Sequence, residues 1–103
     1  MGIIQLILFT RKGCCLCEGL EKKLRSINLN QLQPGMKLLV KDIDGDRVSN
    51  DEKIKYSMAV PVLNVFLQNS NLSIELPRVS ARLKEEALFY WLHKHINERL
   101  ELI

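Results

Sequence analysis

A chain of 103 residues and 11.9 kDa is one domain's worth of sequence, and residues 1–103 read as a single domain without linker or repeat. With 47% hydrophobic and 26% charged residues and only five Gly and three Pro, it can bury a modest core, which excludes disorder, collagen and low-complexity classes. A net charge of +3 is too mild to argue for nucleic acid, and no stretch approaches the roughly 18 apolar residues of a membrane span. The charge is uneven: residues 1–41 carry seven basic and two acidic side chains, residues 42–76 three and six. One end of the molecule is therefore expected to be positive.

Ile3 to Phe9 is a near-continuous apolar run, the pattern of a central strand covered on both faces. From Cys15 to about Asn28, Leu16, Leu20, Leu24 and Ile27 recur at helical spacing, with Glu21, Lys22, Lys23 and Arg25 on the other faces. Asn28, Asn30, Pro34 and Gly35 end this helix, and Leu38 to Ile43 follows as a second strand. So short a connection through a helix predicts a right-handed parallel crossover. Asp42, Asp44 and Asp46 mimic the start of a calcium loop. Arg47 stands where the loop's glycine belongs and Lys53 where its glutamate belongs, so a solvated turn is expected instead.

Asn50 is the expected N-cap of a short helix through Tyr56, with Asp51 and Glu52 in its positive first turn. Pro61 stops anything helical. Val60 to Leu67 and Leu72 to Leu76 read as an antiparallel hairpin turning at Gln68 to Asn71. Ser80 is the expected cap of a final helix to Ile96, with Ala81, Leu88, Trp91, Leu92 and His95 on its apolar side and Arg82, Glu86, His93 and Asn97 opposite. The element order is β-α-β-α-β-β-α. His95 reads as a core-edge residue and His93 as an outward one, and Trp91 and Tyr90 as packing residues.

The chemistry is concentrated in Cys14-Cys15-Leu16-Cys17. Three cysteines within four residues cannot staple distant segments as in a secreted mini-protein, and the 3–9 run has neither a basic lead nor a cleavage site, so a cytoplasmic monomer is expected. Cys14 and Cys17 fall at a strand–helix junction, where free N–H groups, the helix dipole and nearby Arg11 and Lys12 favour a thiolate below the free thiol pKa of about 8.5. Cys14 would attack a disulfide, and Cys17, one turn in and more covered, would resolve the mixed disulfide. Structural zinc needs four ligands, and beyond the cysteines only His93 and His95 are on offer, so no metal is assigned. Three packing cysteines are the plain alternative. Val60-Pro61 leads into a strand, and from spacing alone the bond is open to cis or trans. In the cis form it would offer the Val60 N–H and C=O to a substrate backbone.

Leu8 to Cys17, reading LFTRKGCCLC, resembles a glutaredoxin active-site segment, and Ala59-Val60-Pro61-Val62 resembles the cis-proline segment of the same fold. The likeness is greatest to small glutaredoxin-like proteins whose site reads Cys-x-Leu-Cys followed by an acid, here Glu18. It implies an α/β thioredoxin-like fold: a four-stranded mixed sheet of order 2-1-3-4 with helices on both faces, Pro61 cis and Cys14 the exposed nucleophile. It also implies a thiol-disulfide oxidoreductase acting on a disulfide-containing protein or glutathione-mixed disulfide, without a resident cofactor and with glutathione as a candidate co-substrate. Arg11, Lys12, Val60, Pro61 and Arg78 are then the substrate-binding candidates. The usual Gly-Gly and Asp before the last helix are replaced by Leu76-Pro77-Arg78-Val79-Ser80, which argues against strong glutathione binding. Two rival readings use the same residues: a metal- or iron-sulfur-handling module, or a redox-inactive thioredoxin-fold interaction domain. Simple metallochaperones end on a strand, whereas this chain ends on a helix.

Overall fold

The computed structural model describes residues 4–80 and 82–101. Strands β1 (Ile4–Thr10), β2 (Lys37–Asp42), β3 (Val62–Leu67) and β4 (Leu72–Glu75) form one sheet in the order β2-β1-β3-β4. β1 runs parallel to β2 and antiparallel to β3, and β3 is antiparallel to β4. Helices α1 (Cys15–Ser26), α2 (Asn50–Tyr56) and α3 (Glu85–Glu101) complete the β-α-β-α-β-β-α order. The α/β thioredoxin-like architecture expected from the sequence, mixed sheet and strand order included, is the one observed. No described helix is long and apolar enough to cross a membrane.

Alternation along β1 builds two cores from one apolar run. Leu6 and Leu8, opposite Val65 and Leu63, face α1 and α3 and join Leu20, Leu24, Leu88, Leu92 and Ile96. Ile7 and Phe9, opposite Asn64 and Val62, face the α2 side with Ile43, Val48 and Tyr56. Each fully buried Leu, Ile or Phe contributes roughly 1.5–3 kcal/mol, so two-sided burial makes β1 the anchor for whatever follows Thr10. Within the second cluster Asn64, 3% exposed, donates from Nδ2 to the Tyr56 hydroxyl (3.2 Å) and to Ser73 Oγ (3.1 Å). The reading of Val60 to Leu67 as a strand does not foresee this buried amide.

Several boundaries differ from the sequence expectation. The first strand runs on to Thr10 rather than ending at Phe9; Ile3 lies outside the described residues. The cap of α2 is Ser49, not Asn50. Its hydroxyl accepts the Glu52 N–H at 3.2 Å while the Glu52 carboxylate accepts the Ser49 N–H at 3.1 Å, a reciprocal pair that Asn50 could not form. β3 starts at Val62 because Pro61 has no N–H for a ladder. The last helix starts at Glu85 rather than Ser80. Ser80 instead closes a local turn, its hydroxyl accepting the Arg82 N–H and its carbonyl the Leu83 N–H, both at 3.3 Å. Buried Leu76 and Val79 pin this segment to the core, so the chain becomes helical only where Glu85 and Glu86 meet the positive first turn. Ala81, expected on the apolar side of that helix, lies outside the described residues.

Candidate functional site

At the end of β1 the chain reverses through Arg11-Lys12-Gly13-Cys14, closed by the Cys14 N–H on the Arg11 carbonyl at 3.2 Å. Gly13 sits at φ +80°, the left-handed conformation that such a turn requires at its third position. This turn delivers Cys14 to the N-cap of α1, where its Sγ accepts the Cys17 N–H at 3.2 Å. The Sγ atoms of Cys14 and Cys17 lie at disulfide-bonding distance, with Cα atoms 5.2 Å apart. The two cysteines differ in access. Cys14 is half-buried, Cys17 is 1% exposed, and Cys15 is a free, exposed thiol.

Leu16 does not join the apolar face expected for it. It is 56% exposed, and Cys17 takes the buried position of that first turn. The buried stripe of α1 runs Cys17, Leu20 and Leu24 at steps of three and four, which leaves Leu16 off that face.

Arg11 is turned toward its own chain. Nε and Nη2 donate to the two Asp44 carboxylate oxygens at 3.0 and 3.2 Å, and Nη1 donates to the Ser57 carbonyl at 2.9 Å. The observed bonds make Arg11, a substrate-binding candidate in the sequence, a brace between the cysteine turn, the acidic loop and the segment leading to Pro61. That loop is the solvated turn expected. The Asp44 N–H bonds Asp42 Oδ1 at 3.0 Å, and the Ile43 N–H reaches the Thr10 carbonyl at 2.7 Å, holding the loop against β1. Lys12 is exposed and, with Thr10, Cys17, Glu18 and Asp42, borders a cleft on the α1 side.

Arg78, from the β4–α3 connection, donates through Nη1 to the Ala59 carbonyl at 3.1 Å. Ser57 and Ala59 are thus held from two sides by two arginines. Between these clamps and the buried Pro61, joined to Val60 by a cis peptide, neither the N–H nor the C=O of Val60 has a hydrogen-bond partner among the described residues. The histidines stand apart from this site. His95 stacks on Trp91 at 4.5 Å and lies 3.7 Å from Glu98, while His93 contacts Asn97 at 3.4 Å. Among the described residues no group of three His, Cys, Asp or Glu side chains converges as a metal site.

The sequence profile of the family described as Glutaredoxin-like domain (DUF836) matches residues 5–93. The chain belongs to that family. The match spans β1 through the first half of α3 and so includes the cysteine turn, the Val60-Pro61 segment and Arg78. No curated protein matches the chain. Among solved structures, one described as "Structure of a malarial protein" superposes with a TM-score of 0.59 at 17% identity, covering 91% of this chain and 98% of its own. At that identity the likeness speaks for the fold alone. A glutaredoxin-like domain with a C-x-x-C pair at disulfide distance points to redox chemistry.

The brace yields a test. Surface ion pairs are worth only about 0–1 kcal/mol, so Asp44→Asn should change stability little, while Arg11→Met, which also loses the Ser57 bond, should cost about 1–2 kcal/mol. Urea denaturation of both variants separates the two contributions.

Proposed function

We propose that this protein is a thiol-disulfide oxidoreductase in which Cys14 exchanges with external disulfides and Cys17 resolves. The observation that carries this is the asymmetry of the pair: both cysteines share one helix start, but only Cys14 is open to a partner molecule. In the reducing direction the Cys14 thiolate attacks one sulfur of a substrate disulfide, forming a mixed disulfide and expelling the other sulfur as a thiolate that takes a proton from water. Cys17, deprotonated, then attacks Cys14 Sγ. The second substrate thiol leaves, and the Cys14–Cys17 disulfide keeps the oxidising equivalents. Reset needs a dithiol or two monothiols such as glutathione, themselves oxidised to a disulfide.

The helix start favours Cys14 as leaving group and nucleophile, because the Cys17 N–H and the dipole remain in place when the disulfide opens. Substrate backbone pairs with the free N–H and C=O of Val60. Lys12 lies on the opposite side of α1's start, positioned to meet an anionic group of the substrate. Glutathione serves poorly as the specific partner, since no Gly-Gly or Asp precedes α3.

The test is a glutathione-coupled reduction assay beside a peptide-disulfide assay at equal enzyme concentration. Peptide disulfide turnover with weak glutathione-dependent activity is expected. Saturable, glutathione-specific turnover that outpaces the peptide reaction would refute this choice of substrate.

A further inference from the structure

Beside the cysteine loop runs a groove of about 240 Å³ lined by Leu16, Pro61, Arg78, Val79, Ser80 and Arg82. Its chemistry is uneven in a way the exchange reaction does not require. One wall is apolar: Leu16, 56% exposed, stands against Pro61 and Val79. The other carries two guanidiniums and no carboxylate. Arg82 has no side-chain partner among the described residues, and Arg78 uses Nη1 on Ala59 with its other two nitrogens unengaged there.

An exposed leucine between two reacting cysteines gains nothing from solvent; it is favourable only when covered by an apolar group of the substrate. Arg82 and the two remaining nitrogens of Arg78 beside it gain most from a carboxylate, which each side chain can meet with two N–H donors. Glutathione could supply charge but has no apolar side chain to cover Leu16. Resting on the exchange reading above, we infer that the groove selects protein substrates whose disulfide lies in an extended segment carrying an apolar residue and an acidic residue close to the reacting cysteine. Arg82 and Leu16 are the specificity determinants, with Arg78 contributing from its anchored position. Leu16, two residues from Cys14 in sequence, lines the groove together with both arginines, so the apolar and acidic residues belong beside the substrate cysteine.

The test uses the full chain, pre-reduced and freed of reductant, in single turnover with the disulfide-linked dimers of three peptides: Glu-Leu-Cys-Leu-Glu, Gln-Leu-Cys-Leu-Gln and Lys-Leu-Cys-Leu-Lys. Each reaction oxidises the Cys14–Cys17 dithiol to its disulfide and releases two peptide thiols, read by quenched mass spectrometry. The symmetric peptides make strand direction irrelevant. The acidic dimer should react about three- to tenfold faster than the neutral one and the basic dimer slower, with the spread collapsing as salt is added. R82E, which leaves the Arg78–Ala59 bond alone, should narrow the spread, and R78E/R82E should invert it. Leu16→Ser should slow the acidic and neutral dimers alike. Equal rates for the three dimers, an order unchanged in R78E/R82E, or glutathione disulfide outpacing the acidic dimer would overturn the inference while leaving dithiol exchange intact. Failure of all three dimers to oxidise the protein would overturn the exchange reading and this one with it.

Discussion

Replacing Cys14 by serine should abolish disulfide reduction, and replacing Cys17 should instead freeze the reaction halfway, with a substrate fragment linked to Cys14. The asymmetry follows from access. Cys17, 1% exposed beneath the first turn of α1, cannot meet an intermolecular disulfide without opening the helix, but it lies within bonding distance of Cys14. Cys14, half-buried at the N-cap, faces outward and keeps the Cys17 N–H as a stabilising donor. The reduced protein should therefore alkylate at Cys14 fastest near neutral pH, since the helix start raises its thiolate fraction. Cys17→Ser lacks the resolving sulfur, so the mixed disulfide should accumulate at one equivalent and be visible by mass spectrometry without reductant. Exposed Cys15 supplies the internal control. If C14S retains turnover, or if all three thiols alkylate equally, the assignment of roles fails.

Phe9→Ala should cost about 3–5 kcal/mol, a large part of the roughly 5–15 kcal/mol that holds a small domain folded. Phe9 is fully buried on the α2 face of β1, its ring centroid 4.8 Å from that of Tyr56 and its backbone paired with Val62. It is also the last fully buried residue of β1 before the Cys14 turn, while Tyr56 immediately precedes Ser57, the carbonyl that Arg11 grips. A cavity at Phe9 therefore lies beneath both arms of the site. The urea midpoint should fall with the slope unchanged, and Phe9→Leu should recover much of the loss. A loss under about 1 kcal/mol would mean that the α2-side cluster does not support the site.

The fold was legible where one physical signal dominated. A near-continuous apolar run marked β1 as a two-sided central strand and the spacing marked the crossover and the hairpin, while the strand order 2-1-3-4 came from the resemblance to glutaredoxins. The cysteine pair was legible for a similar reason, since a strand, a glycine turn and a helix start can bring Cys14 and Cys17 together without help from distant residues. The errors lie where tertiary contacts overrule a local pattern. Leu16 has the right spacing for a core position and is displaced by its own neighbour Cys17. Ser80 has the chemistry of a helix cap and is drawn into a turn by buried Leu76 and Val79. The Arg11–Asp44 pair had no local signal, because Asp44 lies 33 residues away in sequence and only the β1–β2 pairing brings the two together. Ser49 was findable, because Ser-x-x-Glu is written in residues 49–52. Asn64 and Arg82 carried no local signal.

Dithiol chemistry at Cys14 and Cys17 is tested most directly by equilibrating the protein across a series of glutathione redox buffers, trapping free thiols with an alkylating agent and mapping the products by mass spectrometry. The expected result is one reversible two-electron transition in which Cys14 and Cys17 lose their thiols together as an intramolecular disulfide while Cys15 remains alkylatable. Cys14 and Cys17 staying reduced across the whole series, or oxidation that falls on Cys15 and leaves that pair as thiols, would contradict it.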